Sequence, residues 1–390
     1  MTPEQRYDYV IVGAGIAGAS VGCRLAGYSR ILVLEQESQP GYHATGRSAA
    51  MFMASYGTSA IRALTRASRD FYERPPTHFA DQPLMRLRGT IYLAGPEDAI
   101  LLEQAYRALS VTNPEIGRIG ASEILRRVPV LRPERVLGGI EEADAQDIDV
   151  HALHQGFLRS MRRRGGELRT NARLVEGRRV GERWRLTLSD GSVLEADTVV
   201  NAAGAWADEV ARVCGASSIG LKPRRRSAFT FDPPRDTAFE AWPLVCGIRE
   251  DFYFKPDAGQ LLGSSANADP TTPHDVVPEE LDIATGIHRI QEVSRLAIRR
   301  PRHSWAGLRS FVADGDPVIG WDDACEGYFW LAALGGYGIQ TAAAASELAA
   351  TLLLRQPAPA RLGLYGVEPA AFSPARLRRS APSVPPSVSE

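Results

Sequence analysis

A glycine-rich turn between two apolar segments near the start of the chain constrains the fold more than any other feature. Residues 9–35 read YVIVGAGIAGASVGCRLAGYSRILVLE, with the turn glycines at Gly13, Gly15 and Gly18. In a βαβ unit of this kind, the first two glycines let the backbone turn and approach a pyrophosphate, and the third lets the helix pack on the strand. The positive N-terminal end of the helix then faces the phosphates. The segment predicts a bound dinucleotide, against the alternative of a glycine-rich structural turn.

The second apolar run of this unit ends on an acidic residue, Glu35. A carboxylate about 20 positions after the glycines is placed to accept a hydrogen bond from a ribose 2′-hydroxyl, which favours an unphosphorylated adenosine half. The motif alone does not distinguish NAD from FAD. The candidate dinucleotide contacts in this unit are Gly13, Ala14, Gly15, Ile16, Ala17, Gly18 and Glu35.

Four later segments rich in small residues favour FAD. They read GYHATGRSAA from Gly41, TVVNAAGAW from Thr198, DGDPVIG from Asp314 and LGGYGIQ from Leu334. The first can run its backbone close to an isoalloxazine ring, and the last leads into an alanine-rich helix over residues 341–354 whose N-terminus suits the electron-rich end of a reduced flavin. No cysteine or histidine is placed to link the flavin covalently, so we expect dissociable FAD. The candidate flavin contacts are Arg47, Ser48, Ala49, Ala203, Gly204, Trp206, Gly335, Gly338, Ile339 and Gln340.

These segments, in this order, resemble the D-amino-acid oxidase superfamily of FAD-dependent oxidoreductases, and most closely its bacterial D-arginine dehydrogenases. The resemblance also rests on LHQGFLR from Leu153, RRSAF from Arg225, FYFKPDAG from Phe252, SANADP from Ser265 and WAGLRSFVADGD from Trp305. It covers nearly the whole chain apart from the C-terminal segment. Such motifs are more specific for the subgroup than for the substrate.

The resemblance and the length of 390 residues predict two domains of an α/β protein. We expect a discontinuous, Rossmann-like FAD-binding domain over residues 1–83, 144–222 and 303–373. An α+β substrate-binding domain with a mixed sheet is expected over residues 84–143 and 223–302. Asp149 is expected to cap a helix that runs through Leu153, Phe157 and Met161. Residues 374–390, rich in proline, serine and arginine, are expected to form a disordered tail.

Composition excludes several classes of protein. A net charge of −1 gives no general attraction to nucleic acid or to anionic membranes, and the short arginine runs are typical of solvated faces, which argues against a tRNA-acting flavoprotein. The four cysteines lie far apart without C-x-x-C spacing, so they are interpreted as reduced thiols and no metal is expected. No apolar run approaches the length of a membrane span. We expect a cytoplasmic protein with no integral membrane segment. Peripheral contact with a membrane quinone pool is compatible with this composition.

The resemblance implies a site that holds the carboxylate of a small amino-acid substrate. Arg309 matches the carboxylate-binding arginine of the family, and Arg226 matches a second arginine near the substrate; arginine suits this task because it binds carboxylates bidentately. Tyr253 matches a tyrosine that hydrogen-bonds the same carboxylate, and Tyr56 matches one that closes the pocket. Gly336 matches the glycine whose carbonyl faces the substrate amine. The alternatives are a surface role for the arginines and a core role for the tyrosines.

Three further positions concern the substrate side chain. Glu250 falls on a loop that acts as a mobile lid in the family. Met51 stands where the D-arginine dehydrogenases have a histidine, and Thr90 aligns with the glutamate that pairs with the guanidinium of D-arginine. Without that anion a bound guanidinium would be a buried, unpaired charge, which is strongly unfavourable. The sequence therefore predicts a preference for neutral or apolar D-amino acids.

The implied reaction is FAD-dependent oxidative deamination. A hydride passes from the α-carbon of the deprotonated amine to flavin N5, and the imino acid hydrolyses to a 2-oxo acid and ammonia. The electron acceptor, oxygen or a quinone, is left open. The alternatives are a secondary-amine oxidase of the sarcosine, glycine or D-proline type, a D-arginine dehydrogenase proper, and a non-catalytic flavin-binding assembly factor.

Overall fold

The structure is a computed structural model that describes residues 5–111, 113 and 115–379. Its strands, in chain order, are β1 (Gln5–Val12), β2 (Ile31–Leu34), β3 (Met51–Phe52), β4 (Met85–Leu87), β5 (Thr90–Ala94), β6 (Ile116–Gly120), β7 (Gly138–Glu142), β8 (Gln146–Ile148), β9 (Glu167–Arg169), β10 (Leu174–Val180), β11 (Arg183–Leu188), β12 (Val193–Asn201), β13 (Lys222–Phe231), β14 (Leu244–Gly247), β15 (Tyr253–Asp257), β16 (Gln260–Ser264), β17 (Asp269–Pro270), β18 (His303–Phe311), β19 (Val318–Trp321) and β20 (Tyr328–Ala332).

The helices are, in the same order, α1 (Ile16–Leu25), α2 (Ser59–Glu73), α3 (Ala99–Ser110), α4 (Ala121–Arg127), α5 (Val150–Arg163), α6 (Ala207–Val213), α7 (Glu280–Val293), α8 (Gly338–Leu353), α9 (Ala360–Leu364), α10 (Pro369–Phe372) and α11 (Ala375–Arg379). Within the described ranges, no helix is both long enough and apolar enough to span a bilayer.

The first sheet is the Rossmann-like core predicted from the glycine motif. Its strands run in the order β10-β11-β12-β1-β2-β9, with β20 beside β12 and β19 beside β20. β1 is parallel to both β12 and β2, and β2 is parallel to β9. Alternate residues enter two separate cores: Ile11 and Val33 pack towards α1, α5 and α8, whereas Val10 and Leu32 pack on the opposite face. Both faces are covered, which explains why the two strands are almost entirely apolar.

The second sheet is mixed, in agreement with the predicted α/β fold with a mixed-sheet second unit. Its order is β17-β13-β16-β15-β14-β5-β7-β6, with β18 also paired to β13. β14 is parallel to β5, whereas β15 runs antiparallel to β14. Helix α7 packs on β13 and β16. A small third sheet, β3-β8-β4, forms no strand pairing with either of the two large sheets.

The strand over residues 303–311 belongs to the second sheet by its hydrogen bonds. Residues 303–311 were assigned to the FAD-binding domain, yet β18 forms an antiparallel ladder with β13 from Lys222↔Phe311 to Thr230↔His303. The chain therefore rejoins the first sheet only at β19. The division into domains otherwise stays a prediction. The consequence for the site is that the strand bearing Arg309 is fixed by the second sheet.

Part of the segment predicted to be a disordered tail is ordered. Residues 375–379 form α11, which is held against the first sheet's connecting loops by ion pairs from Arg376 to Asp314 and from Arg378 to Asp322. Composition suggested disorder because arginine is polar, but these arginines have fixed carboxylate partners. Residues 380–390 lie outside the described part of the chain.

The predicted helix after Asp149 is confirmed. The Asp149 carboxylate accepts a hydrogen bond from the Ala152 amide at 2.8 Å, which caps α5. Leu153, Phe157 and Met161 are fully buried on one face of this helix. That face packs against α1, so it fixes the position of the glycine turn that precedes α1.

Candidate active site

A long cleft begins at the glycine turn and crosses from the first sheet to the second. Gly13 has a φ of +103°, which favours glycine, and a Cβ at Gly18 would lie 1.8 Å from the Gly13 carbonyl oxygen. Helix α1 therefore sits directly on the strand end. Gly15 at the N-cap of α1 carries no side-chain cap, and it lines the cleft, so the helix presents its N-terminus to that space. This is the geometry that binds a pyrophosphate.

Glu35 lies where a ribose would be held. Its two carboxylate oxygens accept hydrogen bonds from the Ala14 amide at 2.9 Å and from the Glu37 amide at 3.0 Å. The residue lines the cleft and is only 8% exposed. Each carboxylate oxygen keeps acceptor capacity for a further donor, such as a ribose hydroxyl. The glycine cradle and this acid fit the adenosine diphosphate part of FAD.

The cleft encloses about 1750 Å³ of empty space, including its open mouth, so it has room for an extended dinucleotide. Among the predicted cofactor residues, those that line it are Gly13, Gly15, Ile16, Ala17, Glu35, Arg47, Ser48, Ala49, Ala203, Gly204, Trp206, Gly335, Gly338 and Ile339. Ala14 and Gly18 are buried behind the turn, where they support it.

Two predicted flavin residues use their side chains elsewhere. The Arg47 guanidinium donates to the carbonyl oxygens of Val276 and Ala306 and pairs with Asp275, so it ties the cleft wall to the second sheet's connections. Gln340 does not line the cleft. Its side-chain amide hydrogen-bonds the backbone of Met53 and the hydroxyl of Thr65. Both residues therefore shape the site through its framework.

Some cleft contacts are not predicted from the sequence, although Thr45 itself lies in the GYHATGRSAA segment. Thr45 accepts a hydrogen bond from the Ile16 amide at 2.9 Å and so fixes the first turn of α1. Residues 172–174 line the far end of the cleft, because the Ala172 amide bonds the Glu35 carbonyl and brings the β9–β10 connection alongside β2. The contact joins segments far apart in the chain, so no local motif reveals it.

A second pocket, of about 710 Å³ of empty space, adjoins the cleft. Arg309, Arg226, Tyr253, Ser48 and Gly336 line both spaces, which places them where cofactor and substrate would meet. The structure thus brings together the residues predicted for the substrate carboxylate.

Arg309 is held in one orientation by its neighbours. It donates a hydrogen bond to the Tyr56 hydroxyl at 3.1 Å, and a Cβ at Gly336 would lie only 2.6 Å from the Arg309 Cζ atom. The guanidinium therefore lies flat against Gly336, and a side chain at that position would displace it. Tyr337 packs edge-on against the Tyr56 ring, with ring centroids 4.8 Å apart.

Two guanidiniums share this pocket without a counter-ion. Arg226 donates to the Asn267 carbonyl oxygen at 2.5 Å, and among the residues that the structure describes neither Arg226 nor Arg309 forms a salt bridge with a carboxylate. Burial lowers the pKa of Arg226, and the charge of Arg309 lowers it further. An anion would relieve this repulsion, so the geometry favours a carboxylate ligand.

The remaining walls of the pocket are largely apolar. Met51, Met53, Leu244 and Cys246 line it, and burial raises the pKa of the Cys246 thiol, which keeps that group neutral. Glu250 lies at the edge of the pocket on an exposed turn with a φ of +53°.

The placement of Thr90 differs from the prediction. Thr90 is fully buried, its hydroxyl has no hydrogen-bond partner, and it does not line the pocket. Tyr92, two residues further along β5, lines the pocket instead. Side chains two residues apart on a strand lie on the same face of the sheet. Thr90 and Tyr92 therefore share a face of β5, and the sequence around them does not determine which of the two reaches the pocket.

Behind Tyr92 lies a buried polar cluster that the sequence did not indicate. The Tyr92 hydroxyl lies 2.9 Å from Ser55 Oγ, and Ser55 in turn hydrogen-bonds the Glu142 carboxylate. Glu142 also accepts a hydrogen bond from the Ala54 amide at 2.5 Å. These residues come from three separate segments and have no shared motif.

A metal centre is not found in the described ranges. No group of three or more histidine, cysteine, aspartate or glutamate side chains there is arranged to hold a metal ion. His154 lies behind the glycine turn, with its Nε2 atom 2.9 Å from the Ala14 carbonyl oxygen, and burial lowers its pKa. His154 is therefore a support for the turn.

Comparisons with known proteins agree with this geometry. A family model described as "DAO: FAD dependent oxidoreductase" matches residues 8–352. The bovine (Bos taurus) FAD-dependent oxidoreductase domain-containing protein 1 is 23% identical over 401 residues, which span 90% of this chain and 82% of that protein. The glycine oxidase of Bacillus licheniformis is 24% identical over 371 residues, 91% of this chain and 95% of that protein.

A solved structure shares the fold. The crystal structure of glycine oxidase from Geobacillus kaustophilus superimposes with a TM-score of 0.81 at 23% identity, covering 95% of this chain and 98% of that one. The predicted α/β fold is confirmed. The matches support the superfamily, and the narrower resemblance to D-arginine dehydrogenases stays a prediction.

Proposed function

The chain belongs to the DAO family of FAD dependent oxidoreductases and its cofactor is FAD; on this premise we propose that it oxidises the amine carbon of an amino acid whose carboxylate is held by Arg309 and Arg226. When bound, FAD accepts a hydride from that carbon. The imino acid that leaves the site hydrolyses to a 2-oxo acid and an amine or ammonia.

One observation carries this proposal: two guanidiniums face the junction of cleft and pocket, and neither forms a salt bridge with a carboxylate of the described residues. Buried or half-buried cations are costly unless an anion is supplied. Arginine binds carboxylates through two parallel hydrogen bonds, which fixes orientation as well as position. Tyr253 lines the same junction and supplies a phenol for a further hydrogen bond.

The residues of the chain would position the substrate and keep water away. With the carboxylate fixed by Arg309, the α-carbon lies towards the cleft and the side chain towards the second pocket. The Gly336 carbonyl is the acceptor proposed for the substrate amine. We assign no general base, so solvent takes the ammonium proton before oxidation in this scheme.

For the side chain we propose a neutral group on a D-amino acid. Met51, Met53, Leu244 and Cys246 form a pocket wall without charge, and methionine adapts to side chains of different shape. Glu250 is the carboxylate at the rim, but its side chain is exposed, so a guanidinium held there would stay largely in water. Thr90 does not line the pocket, so its hydroxyl does not contribute to this preference.

A secondary-amine oxidase is the second candidate. The likeness to a curated glycine oxidase, over almost its whole length, supports a substrate without a large side chain. In that case the pocket walls would contact the N-substituent of the substrate instead of its α-side chain. The carboxylate site would be the same.

A series of kcat/KM values separates the two candidates. The D-amino-acid proposal predicts that D-leucine, D-methionine and D-phenylalanine are oxidised faster than sarcosine, glycine, D-proline and D-arginine. Faster oxidation of sarcosine or glycine would favour the second candidate. If D-arginine were the best substrate, the protein would be assigned as a D-arginine dehydrogenase. Peroxide measured in air, with and without an artificial acceptor, shows in the same assay whether oxygen accepts the electrons.

A further inference from the structure

Glu142 is a buried carboxylate that the reaction proposed above does not use. The residue is 0% exposed, and within the described ranges it forms no ion pair. Such a group is costly in a protein interior unless hydrogen bonds compensate it. Three donors do so: the Ala54 amide at 2.5 Å, the Ser55 amide at 3.2 Å and the Ser55 hydroxyl. Burial raises the pKa of Glu142, and these hydrogen bonds oppose the rise.

The hydrogen bonds of this cluster have a defined direction. The Ser55 hydroxyl donates its single proton to the Glu142 carboxylate, which also accepts from the Ala54 and Ser55 amides. The Ser55 oxygen is then an acceptor for the Tyr92 hydroxyl 2.9 Å away. The phenol proton of Tyr92 is thereby committed to Ser55, so the phenol oxygen of this pocket-lining residue can meet a ligand only as an acceptor.

Sheet register places Tyr92 at the end of the pocket away from the substrate carboxylate. Tyr253 on β15 pairs with Cys246 on β14, and Cys246 pairs with Tyr92 on β5. Neighbouring strands are about 4.8 Å apart, so the backbones at Tyr253 and Tyr92 are about 10 Å apart. A substrate whose carboxylate lies at Tyr253 and Arg309 therefore extends its side chain along this rung towards Tyr92.

We propose that Tyr92, oriented by Ser55 and Glu142, is a specificity-determining hydrogen-bond acceptor that selects substrates with a neutral hydrogen-bond donor, a hydroxyl or an amide, at the end of the side chain. This inference rests on the proposed function, since it takes the carboxylate position from Arg309. Among the neutral side chains proposed above, it adds that one with a terminal donor binds more tightly than an apolar one of the same length.

The test uses unreactive carboxylates and the bound flavin as a spectroscopic reporter. Purified holoenzyme is titrated at pH 8.5 with 5-hydroxypentanoate and with hexanoate. The two acids have the same chain length and differ in a terminal hydroxyl against a terminal methyl group. Wild-type protein is expected to bind the hydroxy acid about fivefold more tightly, as one net hydrogen bond is worth about 1 kcal/mol. Tyr92→Phe should abolish that preference, and Tyr106→Phe, outside the pocket lining, should keep it.

Ser55→Ala tests the direction of the hydrogen bonds. Without Ser55 the phenol proton of Tyr92 is free to turn into the pocket, so this variant should gain affinity for 5-oxohexanoate, which offers only an acceptor, by about fivefold relative to wild type. Equal binding of the hydroxy acid and hexanoate by wild type, or no change of the preference in Tyr92→Phe, would overturn the inference alone. If neither carboxylate perturbs the flavin spectrum, the carboxylate site of the proposed function fails, and the inference fails with it.

Discussion

At the scale of single residues, the site depends on how Arg309 is held. Its guanidinium lies against Gly336, donates to Tyr56 and shares the pocket with Arg226. No carboxylate of the described chain neutralises the pair, so the positive charge is available to a ligand. The same arrangement explains why a glycine is required at position 336.

Removal of the Arg309 guanidinium should therefore impair the reaction severely. Arg309→Ala is expected to lower kcat/KM by roughly 10²–10³-fold, because one side of a desolvated ion pair with the substrate is lost. Tyr253→Phe removes one hydrogen bond to a charged group, so its effect on kcat/KM should be smaller and correspond to about 1.5–3 kcal/mol. Steady-state kinetics on the best substrate measure both values.

Arg224→Ala is the matched control for this prediction. Arg224 pairs in register with Arg309 on the neighbouring strand, but it lines neither the cleft nor the pocket, so its loss should leave kcat/KM within a few-fold of wild type. Equal, small effects of Arg309→Ala and Arg224→Ala would show that the carboxylate is bound elsewhere.

The turn glycines differ in what a side chain would meet. A Cβ at Gly15 would lie 3.2 Å from Thr45 Oγ1, whereas one at Gly18 would lie 1.8 Å from the Gly13 carbonyl oxygen. Gly15→Val should therefore give folded protein without flavin, since the branched side chain occupies the space of the pyrophosphate. Gly18→Ala should instead reduce folded yield. Circular dichroism and flavin absorbance per polypeptide distinguish the two effects, and a Gly15→Val variant with full flavin content would show that the turn is not the cofactor site.

The residues that belong to continuous motifs are predicted well from the sequence. The glycine turn, Glu35 and the Arg309 segment are each recognisable from a short run, and the structure places them at the cleft. Tyr92, Ser55 and Glu142 escaped prediction because their contacts depend on the pairing of β5 with β7 and on the fold of the 53–56 turn. Thr90 was misplaced by an alignment that could not fix the register of one strand.

At the scale of elements, α5 supports the cofactor turn through one buried histidine. His154 donates its Nε2 proton to the Ala14 carbonyl oxygen, and a Cβ at Gly41 would lie 2.8 Å from its ring. The imidazole therefore fills the space between the glycine turn and the Gly41 loop. The sequence predicted this helix from its cap and its apolar spacing, whereas the contact with Ala14 depends on how α5 packs on α1.

This histidine makes the folded state sensitive to acid. Burial lowers the pKa of His154 below its ordinary value near 6.5, so the unfolded chain binds the proton more readily than the folded one. Its contribution to stability is complete above about pH 6.5 and is lost as the pH falls towards the folded-state pKa, with a slope of at most about 1.4 kcal/mol per pH unit. The free energy of unfolding in urea, measured between pH 7.5 and pH 5.5, should fall less in His154→Gln than in wild type.

His151→Gln is the matched control, since His151 lies on the same helix but is exposed. Its pH dependence should follow that of wild type. A His154→Gln variant with the wild-type pH dependence would show that other groups account for the acid sensitivity.

The second sheet, not the first, carries the strand on which Arg309 lies. β18 was expected in the FAD-binding domain because its segment precedes the flavin-contacting turn at Asp314 in the sequence. Pairing with β13 over nine residues overrides that proximity along the chain. Long-range strand pairing of this kind has no local signal. For this reason it is easier to predict which residues form a strand than to predict which strand they pair with.

At the scale of the whole molecule, the two large sheets supply the residues of opposite ends of the cleft. The first sheet presents the glycine turn and Glu35 to one end of the cleft, and the second presents Arg226, Tyr253 and Arg309 to the other. The cleft is continuous between them, so cofactor and substrate meet where the sheets approach. In the proposed function, the substrate carboxylate is held beside the flavin.

Anaerobic reduction of the bound flavin tests that claim most directly. The holoenzyme is mixed without oxygen with D-leucine or sarcosine, and in parallel with their decarboxylated counterparts 3-methylbutylamine and dimethylamine, while the visible absorbance of the flavin is followed. The account predicts that at least one of the two amino acids bleaches the flavin, that its decarboxylated counterpart does not, and that Arg309→Ala slows the bleaching by roughly 10²–10³-fold. Bleaching by the counterpart at the same rate, or no bleaching by either amino acid, would contradict it.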